Sequence, residues 1–178
     1  MYKIIQILMI TTILSFFGCN GQNKNNSKRE FSKQTLSKIA DENLLFEIYE
    51  NIESKISKDY DKLNESFLKL SNGEKAIYII WGLESEVNNG GFDQYYFNSS
   101  GQFAEFAPDA LKLVGANKFS LLVNKANICE KQKKTSEDEV NEELEKFTNE
   151  FFELYKSENL HDKQVEYIKN NIEEFIDK

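Results

Sequence analysis

The sequence predicts an all-α, single-domain bundle of about six to eight helices behind a flexible N-terminal tether. Three observations lead there. Beyond residue 40, apolar residues recur at three- and four-residue spacing, the period of a helix with one buried face. No run alternates at period two over a useful length, so no substantial sheet is expected. Pro occurs once and Gly eight times, which leaves long helical runs intact. With 178 residues, 40% apolar, and 14 Phe and 8 Tyr, the chain has one domain's length and enough bulk for a core.

The N-terminus reads as an export signal. MYK is a short basic n-region, IIQILMITTILSFF is an apolar run, and FGC follows. That run is short for a membrane span, which needs about 20 residues. A small residue directly before Cys19 resembles a bacterial lipobox. The resemblance implies cleavage after residue 18 and lipidation of Cys19, hence a bacterial cell-envelope protein anchored to a membrane outside the cytoplasm. Residues 19–40 are polar and weakly periodic and read as a lipidated tether. Within it, Lys24, Lys28, Arg29, Lys33 and Lys38 face one acid, Glu30. Residues 41–178 form the domain and carry 16 bases against 29 acids, net −13. A basic stalk under an acidic body suits anchoring near anionic head groups.

Within the body, Leu45, Ile48, Ile52 and Ile56 mark a first amphipathic helix. Ser71-Asn72-Gly73-Glu74 is a capping box, in which Ser and Glu each satisfy the other's backbone amide. The helix it starts holds Ala76, Ile77, Ile80, Trp81, Leu83 and Val87, a wide apolar face expected to be central. Pro108 suits the first turn of a short helix and Gly115 its C-terminal turn. Phe119, Leu122, Val123, Ala126 and Cys129 mark the next. A second capping box, Ser136 to Glu139, precedes a helix with Val140, Leu144, Phe147, Phe151 and Leu154 on one face. Asp162 is placed as the cap of the last helix, with Val165, Ile168, Ile172 and Phe175 inward.

Composition and motifs narrow the chemistry. A net charge of −8 argues against general affinity for nucleic acid. No CxxC, HExxH, GxGxxG or GxxxxGK[ST] pattern occurs, and no metal or cofactor is expected. His161 reads as a solvated residue at a helix start and Cys129 as a small residue on a helix face, so neither supports nucleophilic catalysis. Glu84 and Glu86 lie two apart on a helix and point to different faces. Residues 137–178 hold 14 acids and 5 bases, which reads as a solvated face or as an attractor of a basic partner.

The densest segment is Glu86–Gly101, EVNNGGFDQYYFNSSG. Asn88, Asn89, Gly90 and Gly91 should break the central helix, because Asn and Gly tolerate left-handed backbone. Phe92, Tyr95 and Tyr96 fall at helical spacing, so a new helix should run to Asn98, with Ser99, Ser100 and Gly101 ending it. Gln94 and Asn98 then share a face. Their amides either tie the corner together through backbone groups or form a polar pocket for a small ligand or peptide. In the pocket reading, Glu86 or Asp93 would be the acid/base and Tyr95 would line the wall.

The residues Glu86, Val87, Asn88, Gly90, Gly91, Phe92, Gln94, Tyr95, Asn98, Ser99, Ser100 and Gly101, with Ala110-Leu111 and Gly115-Ala116, resemble a bacterial domain family of largely unknown function. Its named member is a DNA-mimic protein. The resemblance spans about residues 40–155. It implies an all-helical domain and favours binding over catalysis, since a member of the family can act by binding protein, presenting carboxylates in place of DNA phosphates. The expectation is a non-catalytic, lipid-anchored, acidic domain for a partner with a basic surface, such as an inhibitor or immunity-type protein. The alternative is an enzyme or small-ligand binder using Glu86–Gly101.

Overall fold

The structure is a computed structural model that describes residues 31–132 and 137–177. The stretch read as an export signal, Cys19 and the Ser136 capping position lie outside those residues. Among the described residues there are eight α-helices and no strand, as the periodicity requires. They are α1 (Lys33–Leu36), α2 (Asp41–Lys55), α3 (Tyr60–Leu68), α4 (Asn72–Phe97), α5 (Ala107–Leu113), α6 (Asn117–Lys131), α7 (Glu137–Leu154) and α8 (Leu160–Asn170), with short 3₁₀ turns at Ser99–Phe103 and Ile172–Glu174. No described helix is long and apolar enough to cross a membrane.

α4 is central because it is apolar on more than one side. Ile77, Ile80, Leu83 and Val87 are completely buried, and α4 packs against α2, α5 and α7. Each fully buried aliphatic side chain contributes roughly 1.5–3 kcal/mol. The Ser71 box closes as read: Ser71 Oγ accepts from the Glu74 amide at 3.0 Å, and Glu74 Oε2 accepts from the Ser71 amide at 2.8 Å. Pro108 sits in the first turn of α5. That helix ends with the Ala116 amide on Leu111 O at 2.8 Å and the Gly115 amide on Lys112 O at 3.0 Å, the paired closure of a Schellman turn. α6 buries Phe119, Leu122, Val123, Ala126 and Cys129 as expected; of the α7 stripe, Leu144 and Phe151 are buried and Phe147 and Leu154 partly so, while the Val140 side chain lies outside the described residues.

Three expectations need correction. Residues 31–40, read as the end of the tether, pack onto the body. Phe31 and Leu36 are buried. The Phe31 amide donates to Asp177 Oδ2 at 3.0 Å, and the Asp177 amide donates to Phe31 O at 2.7 Å. A four-residue helix is too short to show a period, which is why α1 reads as polar tether. α3 was also not foreseen, since only Leu63 and Phe67 of its stripe reach the core, and only partly. Finally, Asn159 rather than Asp162 caps α8: Asn159 Oδ1 accepts from the Asp162 amide at 3.2 Å. Ile172 and Phe175 lie beyond that helix, and Phe175 folds back into the core.

Candidate functional site

The helix break falls inside α4 and rests on two glycines. Gly90 has φ −151° and ψ 17°; Gly91 has φ +81° and ψ −175°. No residue other than glycine has positive φ among the described residues. Asn88 and Asn89 therefore stay helical, contrary to their expected share in the break. Thr148 of α7 fills the notch. Its Oγ1 accepts from the Phe92 amide at 3.0 Å and donates to Leu144 O at 2.9 Å. A residue from another helix thus caps the second half of α4. A Cβ on Gly91 would lie 2.9 Å from Thr148 Oγ1.

Beyond the break, Phe92 and Tyr95 are fully buried. Phe92 meets Phe151 edge-on at 5.8 Å, and Phe151 meets Phe119 at 4.9 Å. Tyr96 donates to Asn127 Oδ1 at 2.8 Å, and Asn127 donates in turn to Ala104 O at 2.6 Å. Burial holds the Tyr95 and Tyr96 phenols well above the usual range. Asn98 ends the helix, with its amide on Gln94 O and its carbonyl accepting from Gly101. Gly101 lies so close under the preceding turn that a Cβ would stand 2.7 Å from Tyr95 O and 2.8 Å from Tyr96 O. Ser99 is exposed, and its carbonyl accepts from the Gln102 amide group.

Gln94 and Asn98 do share a face, but they turn neither to backbone nor to open space. Gln94 Nε2 donates to Glu86 Oε2 at 2.6 Å, and Asn98 Nδ2 donates to the same oxygen at 2.8 Å. One carboxylate oxygen before the kink thus holds two amides after it. Charge-assisted bonds of this kind are roughly twice as strong as neutral ones. Glu86→Ala would strand both donors in a half-buried place and should cost about 2 kcal/mol in urea unfolding. A loss below about 0.5 kcal/mol would show that the staple contributes nothing.

A second carboxylate network lies behind the kink and was not foreseen. Tyr155 donates to Glu84 Oε1 at 2.7 Å, and Gln164 Nε2 donates to Glu84 Oε2 at 2.9 Å. Asn88 Nδ2 reaches the Tyr155 hydroxyl at 3.5 Å. Gln164 is completely buried. Its place was legible as a polar residue on the stripe Leu160, Gln164, Ile168. Burial raises the Glu84 carboxyl above the ordinary range, opposed by bonds from Tyr155 and Gln164 and by charge on His161. A raised folded-state value means that the folded chain holds the proton to higher pH than the unfolded chain does. Stability from this group is therefore greatest below the unfolded value and is lost as pH rises through the folded one. Glu84→Gln should abolish that slope, so the difference in urea midpoint between variant and parent changes as pH rises from below the ordinary glutamate value toward neutrality. A constant difference across that range would contradict the burial argument.

Outside these bonds, the break opens onto a groove of about 770 Å³. Val87, Asn88, Asn89, Gly90, Gly91 and Asp93 form one wall, and Asn141, Glu142, Glu145, Thr148 and Phe152 of α7 the other. No Lys or Arg is among these residues. Glu86, Gln94, Tyr95 and Asn98 are not among them either: they bond to one another or are buried, whereas Asn88, Asn89, Gly90, Gly91 and Asp93 of the candidate segment line the groove. His161 is exposed at the start of α8, as expected, and Cys129 is buried on α6. Among the described residues, no group of three or more His, Cys, Asp or Glu side chains could hold a metal ion.

The span from the end of α3 to just past α8, residues 68–171, matches the family model described as DMP19-like protein. This is more than half of the chain. The protein belongs to the DMP19-like family. That family is one of DNA-mimic proteins, as the resemblance of Glu86–Gly101 implied. The match starts later than the expected residue 40, leaving out α2, and extends through α8. No curated protein and no solved structure matches the chain. In this DMP19-like domain the kink, its Thr148 cap and the Glu86 staple all lie within the matched span.

Proposed function

We propose that this DMP19-like protein is a lipid-anchored, non-catalytic binding domain whose partner is a protein with a basic surface. The observation that supports this reading is where the polar groups go. Gln94, Asn98 and Glu86 are spent on one another, whereas Glu42, Glu50 and Glu53 of α2 and Glu142, Glu145 and Glu150 of α7 face solvent. Helix positions three or four apart have Cβ atoms about 5–6 Å from each other, as at Glu50 and Glu53 and at Glu142 and Glu145. Such rows present closely spaced negative charge, as a nucleic-acid backbone does, and steer a cationic partner toward them.

The anchor shapes the choice of partner. With Cys19 lipidated and residues 19–30 as the basic stalk, the acidic body stands at a membrane outside the cytoplasm, where no cytoplasmic repressor can reach it. An inhibitor or immunity-type role against a secreted basic protein fits that position. Cys19→Ser should move the protein from the membrane fraction to the soluble fraction. An affinity capture with the full chain at low salt should recover a partner that elutes as salt rises. Capture of no partner under those conditions would count against the binding reading.

The ligand-binding reading keeps one observation in its favour, the groove beside Gly90 and Gly91. Its volume falls in the range of small-molecule sites, roughly 300–1,000 Å³. Its walls are mainly polar and acidic, where such sites are mostly apolar. A cationic ligand that raised the unfolding midpoint of the parent but not of Asp93→Asn would support this reading.

A further inference from the structure

α2 carries an unusual stripe. Glu42, Phe46, Tyr49, Glu50 and Glu53 fall at steps of four, three, one and three residues, which puts all five on one helix face. α4, packed against α2, contributes Tyr78 and Trp81, three apart on the adjoining face. Their rings form a continuous ladder. Phe46 and Trp81 lie 6.3 Å apart; Trp81 and Tyr49 stack at 4.2 Å with planes 12° apart; Tyr49 and Tyr78 lie 6.3 Å apart at 15°. Phe67 and Phe103 close the far end against Tyr78.

This ladder is not core. Phe46 is 52% exposed, and Tyr49, Tyr78 and Trp81 are only partly buried. Half-open, rigid, stacked Trp and Tyr rings are the side chains that dominate protein interfaces, because they add contact area with few rotatable bonds to fix. Here they alternate with carboxylates. Glu53 lies close enough to act on both the Tyr49 and Tyr78 phenols, and Glu50 on Tyr49. On α4, Lys75 sits one turn before Tyr78, at the end of the ladder away from Phe46; on α3, which carries Phe67, and at its C-terminal cap, Lys62 and Lys69 pair with Asp59 and Glu65. A cleft of about 80 Å³ opens beside Tyr49 and Tyr78, bordered by Ser99, Ser100 and Gln102, whose oxygens can accept from N–H donors.

From this arrangement we infer that the acid–aromatic face of α2 and α4 is the docking surface for the basic partner, and that it selects arginine side chains. A guanidinium is flat, stacks on aromatic faces and donates in its own plane to flanking carboxylates. An ammonium does the first poorly and the second without direction. The face therefore separates an arginine-bearing partner from a merely cationic one. The inference rests on the binding reading above and specifies where it operates.

Trp81 is the only tryptophan in the chain, so its emission reports on this face. The full chain, held in non-ionic detergent, is titrated with dye-labelled hexa-arginine and hexa-lysine. Dye anisotropy reads binding anywhere, and Trp81 emission reads the ladder. The expected result is that hexa-arginine binds several-fold more tightly than hexa-lysine and shifts Trp81 emission with the same midpoint. Glu50→Gln/Glu53→Gln, two exposed and fold-neutral changes, should weaken it by about five-fold, and Tyr49→Leu by about three-fold. Anisotropy that rises with no Trp81 response, or equal affinity for the two peptides, would overturn the docking face and leave the binding reading intact. No anisotropy change with either peptide would overturn both.

Discussion

Gly91→Ala is expected to destabilise the protein by about 3 kcal/mol, from two separable causes. The first is conformational. At φ +81° and ψ −175°, Gly91 occupies a region essentially closed to other residues, and forcing a Cβ into it costs on the order of 1–3 kcal/mol. The second is contact. The new methyl would meet Thr148 Oγ1 at 2.9 Å and Thr148 Cγ2 at 3.3 Å. Thr148 would have to turn away, and the Phe92 amide would lose its cap, worth about 1 kcal/mol. A double-mutant cycle divides the total. Thr148→Ala alone should cost about 1 kcal/mol, again the value of a lost cap. Added to Gly91→Ala it should cost almost nothing more, because the cap is already gone and the clash is relieved. Urea unfolding of the four proteins measures this. Full additivity would mean that Thr148 does not sit against Gly91.

What the sequence made legible follows from how far apart the interacting residues lie. The Ser71 box spans three residues and the Gln94–Asn98 pair four, and both were read correctly as local geometry. The break was placed correctly too, but shared among four residues, because propensity alone does not say which residue takes positive φ. The acceptor for Gln94 and Asn98 was not legible. Glu86 lies on the other side of the kink, and its distance from the two amides depends on the dihedrals at Gly90 and Gly91. Thr148 and Phe92 are 56 positions apart, and the Phe31–Asp177 clasp joins residues 146 apart. No local period encodes such pairs. The segment Glu86–Gly101 holds both halves of the kink. Its composition records a kinked helix stapled by a carboxylate, and of its polar side chains Asn88, Asn89 and Asp93 are left to line the groove.

Core aromatic contacts converge on α7, at one residue of the stripe Leu144, Phe147, Phe151 and Leu154. Phe151 is completely buried, and its ring touches Phe92 after the kink, Phe119 on α6 and Tyr155 one turn on. Tyr155 in turn holds Glu84. Phe151→Ala should therefore cost about 4 kcal/mol, at the upper end for a large-to-small core change, because three helices meet there and none can collapse into the space alone. Against a total stability of roughly 5–15 kcal/mol for a domain, that change endangers folding at 37 °C. Phe151→Leu keeps most of the volume and should cost about half as much, so it serves as the measurable variant. Its further use is in a cycle with Phe92→Leu, where an edge-on pair should show a coupling of about 1 kcal/mol. A coupling near zero would mean that the second half of α4 is held by Thr148 and the Glu86 staple without the ring contact. The kink would then be fixed by hydrogen bonds alone.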